Sequence, residues 1–174
     1  MIKSIKLNFD FSIFLDVNYS LHEGSCIKHQ VYELEDIHKK FGGFPASYCY
    51  ENTKINQIWW NQDQIDYNSI GLQLGMEVIS VSSIRQQPGC VIPWHRDTFY
   101  QIKSKFPNRS ECKVRANIYL EDWRMGHIIQ FDDTVHTHWK QGEGWLWDDT
   151  ILHLGANVGM QDKFTLQVSG FLKD

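Results

Sequence analysis

The stretch Pro93-Trp94-His95-Arg96-Asp97 places two metal-ligating residue types two positions apart. In an extended strand, residues at i and i+2 point to the same face, so His95 and Asp97 can bind one metal from a single strand. Two histidines and one carboxylate on one face of an octahedron suit Fe(II) and leave three positions open for chemistry. The chain must then supply a second histidine downstream, because a lone His-x-Asp pattern also occurs by chance in solvated turns.

Four downstream histidines are candidates for that second ligand: His127, His136, His138 and His153. His153 follows Trp145-Leu146-Trp147-Asp148-Asp149-Thr150, a strand-like run that ends in an Asp-rich turn. Such a turn fixes the direction in which the chain leaves the strand. Several strands can lie between His95 and His153, enough to bring the chain back across a barrel. His153 is therefore favoured, and the other three histidines stay open as alternatives at this point.

A lysine ten positions after His153 indicates a second kind of site. Lys163, Thr165 and Gln167 alternate along one predicted strand and so share a face. A lysine on an inward face is costly to bury unless an anion meets it. A diacid cosubstrate would provide that anion.

Hydrophobic periodicity indicates the N-terminal elements that must support these residues. Ile2 to Phe14 predicts a strand or a pair of strands. Val31 to Phe41 has helical spacing, and Gly43 to Asn52 reads as a loop. A second helix is expected between Asn52 and Tyr67, with Trp59-Trp60 packing it against a sheet.

From about Met76 onward the pattern changes to short strands separated by turns, which is typical of a sandwich or barrel. The predicted strands are Met76 to Gln86, Val91 to Asp97, Cys112 to Leu120, His127 to Phe131, Glu143 to Trp147 and Phe164 to Phe171. Two N-terminal helices and about seven or eight strands predict a mostly β fold with N-terminal helices, a double-stranded β-helix (cupin-like jelly roll). A single domain is expected, with residues 1–75 as support for a jelly-roll core at 76–174.

Composition and charge argue against several classes of protein. Seventeen basic and twenty-one acidic residues give a net charge of −4, without the basic excess of a nucleic-acid-binding protein. The four cysteines have no zinc-knuckle spacing and fit a reduced, cytoplasmic setting. Met1 to Asp10 contains no continuous apolar run. We therefore expect no nucleic-acid partner, no signal peptide and no membrane span, while the sequence leaves the oligomeric state open.

Taken together, these residues resemble the 2-oxoglutarate and Fe(II)-dependent oxygenases. The matching elements, within Met76 to Phe171, are Arg85-x-x-Pro88-Gly89-x-x-Ile92-Pro93-x-His95-x-Asp97, Trp147-Asp148-Asp149-Thr150-x-x-His153-x-x-x-Asn157, and Lys163-x-Thr165. The resemblance implies His95, Asp97 and His153 as the Fe(II) ligands. It also implies Lys163, helped by Thr165, as the anchor of the remote carboxylate of 2-oxoglutarate.

The resemblance further implies a reaction. 2-Oxoglutarate would chelate two open iron positions and O₂ would take the third, with release of succinate and CO₂ and hydroxylation of an aliphatic carbon. The Pro-Gly turn and the Asp-Asp-Thr run look most like aspartyl/asparaginyl β-hydroxylases, whereas Lys163 in place of an arginine is similar to prolyl 4-hydroxylases. Within the family, the chain most resembles short stand-alone oxygenases of bacteria and their phages. The substrate is expected to be a peptide side chain, an amino acid or another small metabolite.

The spacing found in that family separates His153 from its nearest competitors. Asp132-Asp133-Thr134-Val135-His136 resembles the run before His153. In the family a basic residue follows the distal histidine by about ten positions, but Leu146 and Asp148 stand ten positions after His136 and His138. Neither side chain can receive a carboxylate, so the iron is expected on His153.

Arg115, Asn117 and Tyr119 alternate on one predicted strand and share a face. If that face points inward, Arg115 could hold the other end of 2-oxoglutarate or a substrate carboxylate, with Asn117 beside it. An outward polar face is the alternative. Arg85 is a weaker candidate for the same pocket.

Two functions of other classes fit the same residues. A jelly roll can bind a metal or a sugar without oxidising anything, as a cupin-like binding protein. Because histidine-rich sites also accept zinc, a zinc-dependent isomerase or hydrolase is the second alternative. Tight 2-oxoglutarate binding with succinate release would argue against the first, and dependence on O₂ against the second.

Overall fold

A computed structural model describes residues 1–25 and 54–173 of the chain. The strands are β1 (Ile2–Lys6), β2 (Glu23–Ser25), β3 (Lys54–Trp60), β4 (Met76–Gln86), β5 (Val91–His95), β6 (Lys113–Tyr119), β7 (His127–Phe131), β8 (Thr134–His136), β9 (Glu143–Asp148), β10 (His153–Asn157) and β11 (Lys163–Leu172). The helices are α1 (Ser12–Leu15), α2 (Tyr67–Leu74) and α3 (Tyr100–Lys105), and a 3-10 turn spans Tyr19–Leu21. None of these helices is long and apolar enough to cross a membrane.

The strands form two antiparallel sheets. The larger has the order β1-β9-β6-β11-β4-β3-β2, and the smaller has the order β5-β10-β7-β8. From β4 to β11 the chain passes repeatedly from one sheet to the other, and side chains of both sheets line one cavity. This arrangement confirms the predicted jelly roll with eight strands from Met76 onward.

One large hydrophobic cluster lies behind the larger sheet, on the side away from the cavity. Val114, Ala116 and Ile118 of β6 are buried there together with Leu166 and Val168 of β11. They pack against α2 and the N-terminal segment, whose buried members are Leu7, Phe11, Phe14, Ile70 and Leu74. Because side chains alternate along a strand, the opposite faces of β6 and β11 point into the cavity and are free to be polar. Of the two orientations that the sequence leaves open for Arg115, Asn117 and Tyr119, the structure has the inward one.

The helix expected between Asn52 and Tyr67 is wrong, because Lys54–Trp60 forms β3 and the next helix begins only at Tyr67. Short apolar runs fit both helical and strand periods, and pairing with β4 decides the outcome here. Trp60 packs edge-on against Phe14, with ring centroids 5.1 Å apart, while Trp59 lies on the cavity side of the sheet. The helix comes later as α2, where the Asp66 side chain accepts hydrogen bonds from the first backbone N–H groups.

The prediction of strand over Ile2 to Phe14 is correct only for β1, because the chain turns and forms α1 before Phe14. A helical turn places Phe11 and Phe14 on one side, and both rings are buried in the core. The predictions for Val31 to Phe41 and for Gly43 to Asn52 lie outside the described residues. The predicted bounds of β4 and β7 agree with the structure, whereas β8, β10 and α3 were not anticipated as elements.

Candidate metal and cosubstrate site

Two adjacent strands bring the predicted metal ligands together. His95 at the end of β5 is the register partner of His153 at the start of β10, and the ring centroids are 4.2 Å apart. Asp97 follows two residues after β5. One ligand atom from each of the three side chains lies within 4.8 Å of the others, and all three residues are buried. The structure thus gathers the predicted His-x-Asp and distal histidine into one cluster.

Backbone carbonyls fix the orientation of both imidazole rings. His95 Nδ1 donates to the carbonyl of Pro93 at 2.8 Å, and His153 Nδ1 donates to the carbonyl of Ile151 at 3.1 Å. With the proton on Nδ1, the Nε2 lone pair is the one available to a metal. Burial lowers the pKa of both histidines, that of His153 to about 3. Both rings are therefore neutral at pH 7, which is the form that binds a metal.

Asp97 supplies the negative charge of the cluster. Burial by itself would raise the pKa of this carboxyl. Arg115, His153 and His95 together lower it by more than burial raises it, so the net shift is downward. Arg115 donates to Oδ1, and Trp147 Nε1 donates to Oδ2 at 2.8 Å. A charged carboxylate beside two neutral imidazoles is a donor set that fits Fe(II).

Lys163 occupies the interior of the same cavity and is only 3% exposed. Its Nζ donates to the carbonyl of Ile128 at 2.8 Å and lies 5.7 Å from the ring centroids of both Tyr119 and Trp139. Burial lowers the pKa of this amine to about 7. In the part of the chain that the structure describes, no carboxylate forms an ion pair with Lys163. An anion from outside the protein would offset this cost of burial and keep the amine charged.

Two further polar atoms of this region lack hydrogen-bond partners among the described residues. They are the Tyr119 hydroxyl and Asn117 Oδ1, both buried. Thr165, the register partner of Tyr119 on β11, is also buried and lines the cavity. A Cβ added to Gly155 would lie 3.9 Å from Lys163 Nζ, so the glycine leaves space beside the cation. A carboxylate here would pair with Lys163 and accept hydrogen bonds from the Tyr119 and Thr165 hydroxyls, so these residues fit 2-oxoglutarate.

One cavity of about 330 Å³ connects the metal cluster with Lys163. Trp59 and Tyr100 also line it, and they are 51% and 63% exposed. The aromatic side chains therefore mark its solvent-facing part. Gln57, Ser80, Gln167 and Ser169 add uncharged hydrogen-bonding groups to the wall.

The other sequence candidates lie elsewhere. His136 packs beside Trp145 with ring centroids 4.6 Å apart, and His138 stacks on Trp123 at 4.1 Å. Neither belongs to the metal-ligand cluster found among the described residues. Arg85 donates to Asn56 Oδ1 and pairs with Asp162 at 3.7 Å. It follows from the alternation along β4 that Arg85 points away from the cavity, so its suggested pocket role is wrong.

Several cavity residues received no role from the sequence. Alternation predicts one shared face for Tyr119, Arg115 and Asn117, and the two-residue step from Asn117 is the signal that could have assigned Tyr119 to the pocket. Trp147 belongs to the quoted motif, but its bond to Asp97 joins positions 50 residues apart. Trp139 stacks on Tyr119 at 3.6 Å from a loop in which His138 has a positive φ of 61°. Local periodicity contains no signal for such a loop.

Comparison with known proteins supports this fold. No family model matches the chain, and a search of curated proteins also finds no match. Among solved structures, the viral collagen prolyl hydroxylase of Paramecium bursaria chlorella virus-1, in complex with 2OG, is 13% identical and aligns over 99% of this chain and 96% of its own, with a TM-score of 0.55. The non-heme alpha-ketoglutarate-dependent carbocyclase SnoK of nogalamycin biosynthesis is 12% identical over 68% of this chain and 64% of its own, with a TM-score of 0.50.

The epimerase SnoN of the same biosynthesis, also alpha-ketoglutarate dependent, is 11% identical over 68% of this chain and 61% of its own, with a TM-score of 0.50. At such low identities the similarity establishes the fold. The chain therefore has the fold of the 2-oxoglutarate and Fe(II)-dependent oxygenases, as the resemblance of its motifs implied.

Proposed function

We propose that this protein is a non-haem Fe(II)- and 2-oxoglutarate-dependent dioxygenase that hydroxylates an aliphatic carbon of a peptide side chain, an amino acid or a small metabolite. One observation carries the proposal. The buried Lys163, without a carboxylate partner in the described chain, shares a cavity with the His95, Asp97 and His153 cluster. A metal site alone would not require a buried cation beside it, whereas a cosubstrate with two carboxylates does.

His95, Asp97 and His153 would hold the iron through Nε2 of each ring and one carboxylate oxygen. Bound Fe(II) would supply the activation of O₂ that no side chain can provide. The protein contributes rings that are already oriented by Pro93 and Ile151, and a carboxylate that is already ionised. Little ordering would then be needed when the metal binds.

Lys163 would pair with the remote carboxylate of 2-oxoglutarate. The Thr165 and Tyr119 hydroxyls can donate to the same carboxylate, and Asn117 presents an amide further along the same strand face. A carboxylate beside Lys163 favours its charged form and so opposes the effect of burial on its pKa. The substrate would enter past Trp59 and Tyr100, where aromatic rings offer stacking surface.

Reconstitution of metal-free protein tests the proposal. We expect succinate release from 2-oxoglutarate only when Fe(II) and O₂ are both supplied, and stimulation by members of a panel of peptides, amino acids and metabolites. Zn(II) should not replace Fe(II), which distinguishes this activity from that of a zinc-dependent isomerase or hydrolase. Calorimetry on Mn(II)-loaded protein should detect 2-oxoglutarate binding.

A pair of lysine variants provides the control. Lys163→Ala should abolish 2-oxoglutarate binding at concentrations that saturate the wild type. Lys140→Ala should not, since Lys140 is exposed and pairs with Asp122 at 3.0 Å. Absence of 2-oxoglutarate binding to the Mn(II)-loaded wild type would contradict the proposal and would favour a cupin-like binding protein.

A further inference from the structure

Arg115 contacts a proposed metal ligand, although the sequence suggested a role with the cosubstrate or substrate. We propose that Arg115 is a positioning residue that holds one oxygen of Asp97 and thereby leaves only the other oxygen to ligate the metal. The inference rests on the proposed function in so far as His95, Asp97 and His153 bind a metal. It assigns no contact between Arg115 and 2-oxoglutarate.

The two oxygens of Asp97 have different surroundings. Oδ1 accepts a hydrogen bond from Arg115 Nη1, in an ion pair with the guanidinium. Oδ2 accepts from Trp147 Nε1 at 2.8 Å and is the oxygen that lies 3.8 Å from His153 Nε2. A carboxylate can bind a metal through one or both oxygens. Here the ion pair engages Oδ1, and Oδ2 faces the histidine.

Arg115 is itself held from two sides. Its Nε donates to Ser169 Oγ at 3.2 Å, and its guanidinium carbon lies 5.4 Å from the ring centroid of Phe99. Ser169 and Trp147 are the register partners of Arg115 on β11 and β9. Trp147, Arg115 and Ser169 therefore form one row across three neighbouring strands. Trp147 and Arg115 donate to Asp97, and the Ser169 hydroxyl holds Arg115.

The loop after Asp97 holds Arg115 from the other side. Phe99 has a φ of 50°, in the left-handed region that bulky residues rarely adopt. Its side chain is buried in a cluster with Ile102 and Phe171. Backbone strain of this kind persists only where surrounding packing enforces it. Asp97 thus belongs to a short loop that the packing of Phe99 holds beside Arg115.

The arrangement has a consequence for the number of open metal positions. A metal bound by two imidazoles and one carboxylate oxygen keeps three of six positions for other ligands. A second oxygen from Asp97 would fill one of them and compete with a chelating cosubstrate. Removal of the Arg115 guanidinium should therefore change the coordination of the metal while the metal stays bound.

Co(II) is a suitable probe because its absorption spectrum depends on coordination number. Arg115→Met and Arg115→Gln both remove the cation that reaches Oδ1. We expect both variants to bind Co(II) within about tenfold of the wild-type affinity. Their Co(II) spectra should differ from that of the wild type before any cosubstrate is added, and their affinity for 2-oxoglutarate should fall by about tenfold or more.

Two further variants serve as controls. Arg115→Lys keeps a cation and should return the Co(II) spectrum toward that of the wild type. Arg85→Met makes the same substitution at an arginine outside the cavity, paired with Asn56, and should leave the spectrum and the 2-oxoglutarate affinity unchanged.

The remaining outcomes overturn the inference. Weaker 2-oxoglutarate binding with an unchanged Co(II) spectrum would make Arg115 a direct cosubstrate ligand. Loss of Co(II) binding, or unfolding of both the methionine and the glutamine variant by circular dichroism, would give it a structural role. A wild-type protein that binds neither Co(II) nor 2-oxoglutarate would instead refute the proposed function, which keeps the two failures distinguishable.

Discussion

The cavity has a metal half around His95, Asp97 and His153 and a cosubstrate half around Lys163 and Tyr119. The two halves differ in how completely their polar groups are paired. In the metal half, Nδ1 of His95 and of His153 each has a backbone carbonyl partner, and both oxygens of Asp97 accept hydrogen bonds. In the cosubstrate half, Lys163 has no carboxylate and the Tyr119 hydroxyl has no partner among the described residues. The proposed metal ligands are thus already oriented by the protein, whereas the groups around Lys163 would be satisfied by the proposed 2-oxoglutarate.

This difference follows from the two kinds of ligand. A metal ion demands a fixed ligand geometry, so its ligands are oriented in advance by the backbone and by neighbouring side chains. The groups that bind an anion can stay unpaired until it arrives, because the bound anion then offsets the cost of burying them. Each unpaired buried polar group costs about 1–3 kcal/mol. We therefore expect 2-oxoglutarate to stabilise the protein against unfolding by more than its contacts with the metal would explain.

The largest effect is expected from removal of a metal ligand. His153→Ala should abolish tight Fe(II) binding, because it removes one of three donors whose ligand atoms lie within 4.8 Å of one another. His136→Ala is the matched control and should keep the iron, since His136 packs beside Trp145 outside the cluster. Metal titration of both variants measures this, and equal losses would remove the assignment of His153.

The next largest effect is expected from substitution of Lys163, which should weaken 2-oxoglutarate binding but stabilise the ligand-free protein. Lys163→Met should weaken 2-oxoglutarate binding by roughly 2 to 5 kcal/mol, the range for truncating a buried charge pair. Below pH 7 the ligand-free variant should be more stable than the wild type, because an apolar side chain replaces a buried ammonium that has no carboxylate partner. Calorimetry and chemical denaturation measure the two quantities. Unaltered 2-oxoglutarate affinity would place Lys163 outside the site.

The pH dependence of 2-oxoglutarate binding sharpens the same contrast. Burial lowers the pKa of Lys163 to about 7, and a carboxylate needs the charged amine, so binding should take up a proton above that pH. We expect the affinity of Mn(II)-loaded protein to fall by up to about tenfold per pH unit above pH 7. Calorimetry in buffers of different ionisation enthalpy measures the uptake, and Lys163→Met should show none.

Folding of the ligand-free protein should have the opposite pH dependence. Between pH 7 and the ordinary lysine value of 10.5, the unfolded chain binds the proton that the folded protein has released. The cost of burying Lys163 is thus fully present below pH 7 and is relieved as the pH rises, so its contribution to the free energy of unfolding increases over this range. If Lys163 instead lowered the free energy of unfolding as the pH rose over that range, the inference that its buried amine is neutral there would be wrong.

The smallest effect is expected at Tyr119. Tyr119→Phe deletes a buried hydroxyl that has no partner among the described residues, so the ligand-free protein should lose no stability. Its 2-oxoglutarate affinity should fall by about 0.5–1.5 kcal/mol, the contribution of one hydrogen bond. Thermal unfolding with and without 2-oxoglutarate tests both parts. A destabilised ligand-free variant would mean that the hydroxyl already has a partner.

Sequence periodicity anticipated the parts of the site that depend on alternation within one strand. The steps from Arg115 to Tyr119 and from Lys163 to Thr165 determine a shared face without knowledge of the neighbouring strands. The partner of Arg115 could not be anticipated, because Asp97 reaches it from another part of the fold. The helix prediction for the segment that forms β3 is wrong for a related reason. Its short apolar run fits both the helical and the strand period, and only pairing with β4 decides between them.

One irregularity of β5 makes the pairing of the strand as important for the site as residue identity. β5 and β10 pair His95 with His153 but Ile92 with Gly155, so β5 carries one extra residue between these pairs. Ile92 and His95 both line the cavity although an odd number of positions separates them, which a regular strand does not allow. Regular pairing of β5 at its present length would place His95 on the outer face when Ile92 faces the cavity. In evolutionary terms, a change that removed the bulge but kept the length would equal the loss of a ligand, although every ligand would remain in the sequence.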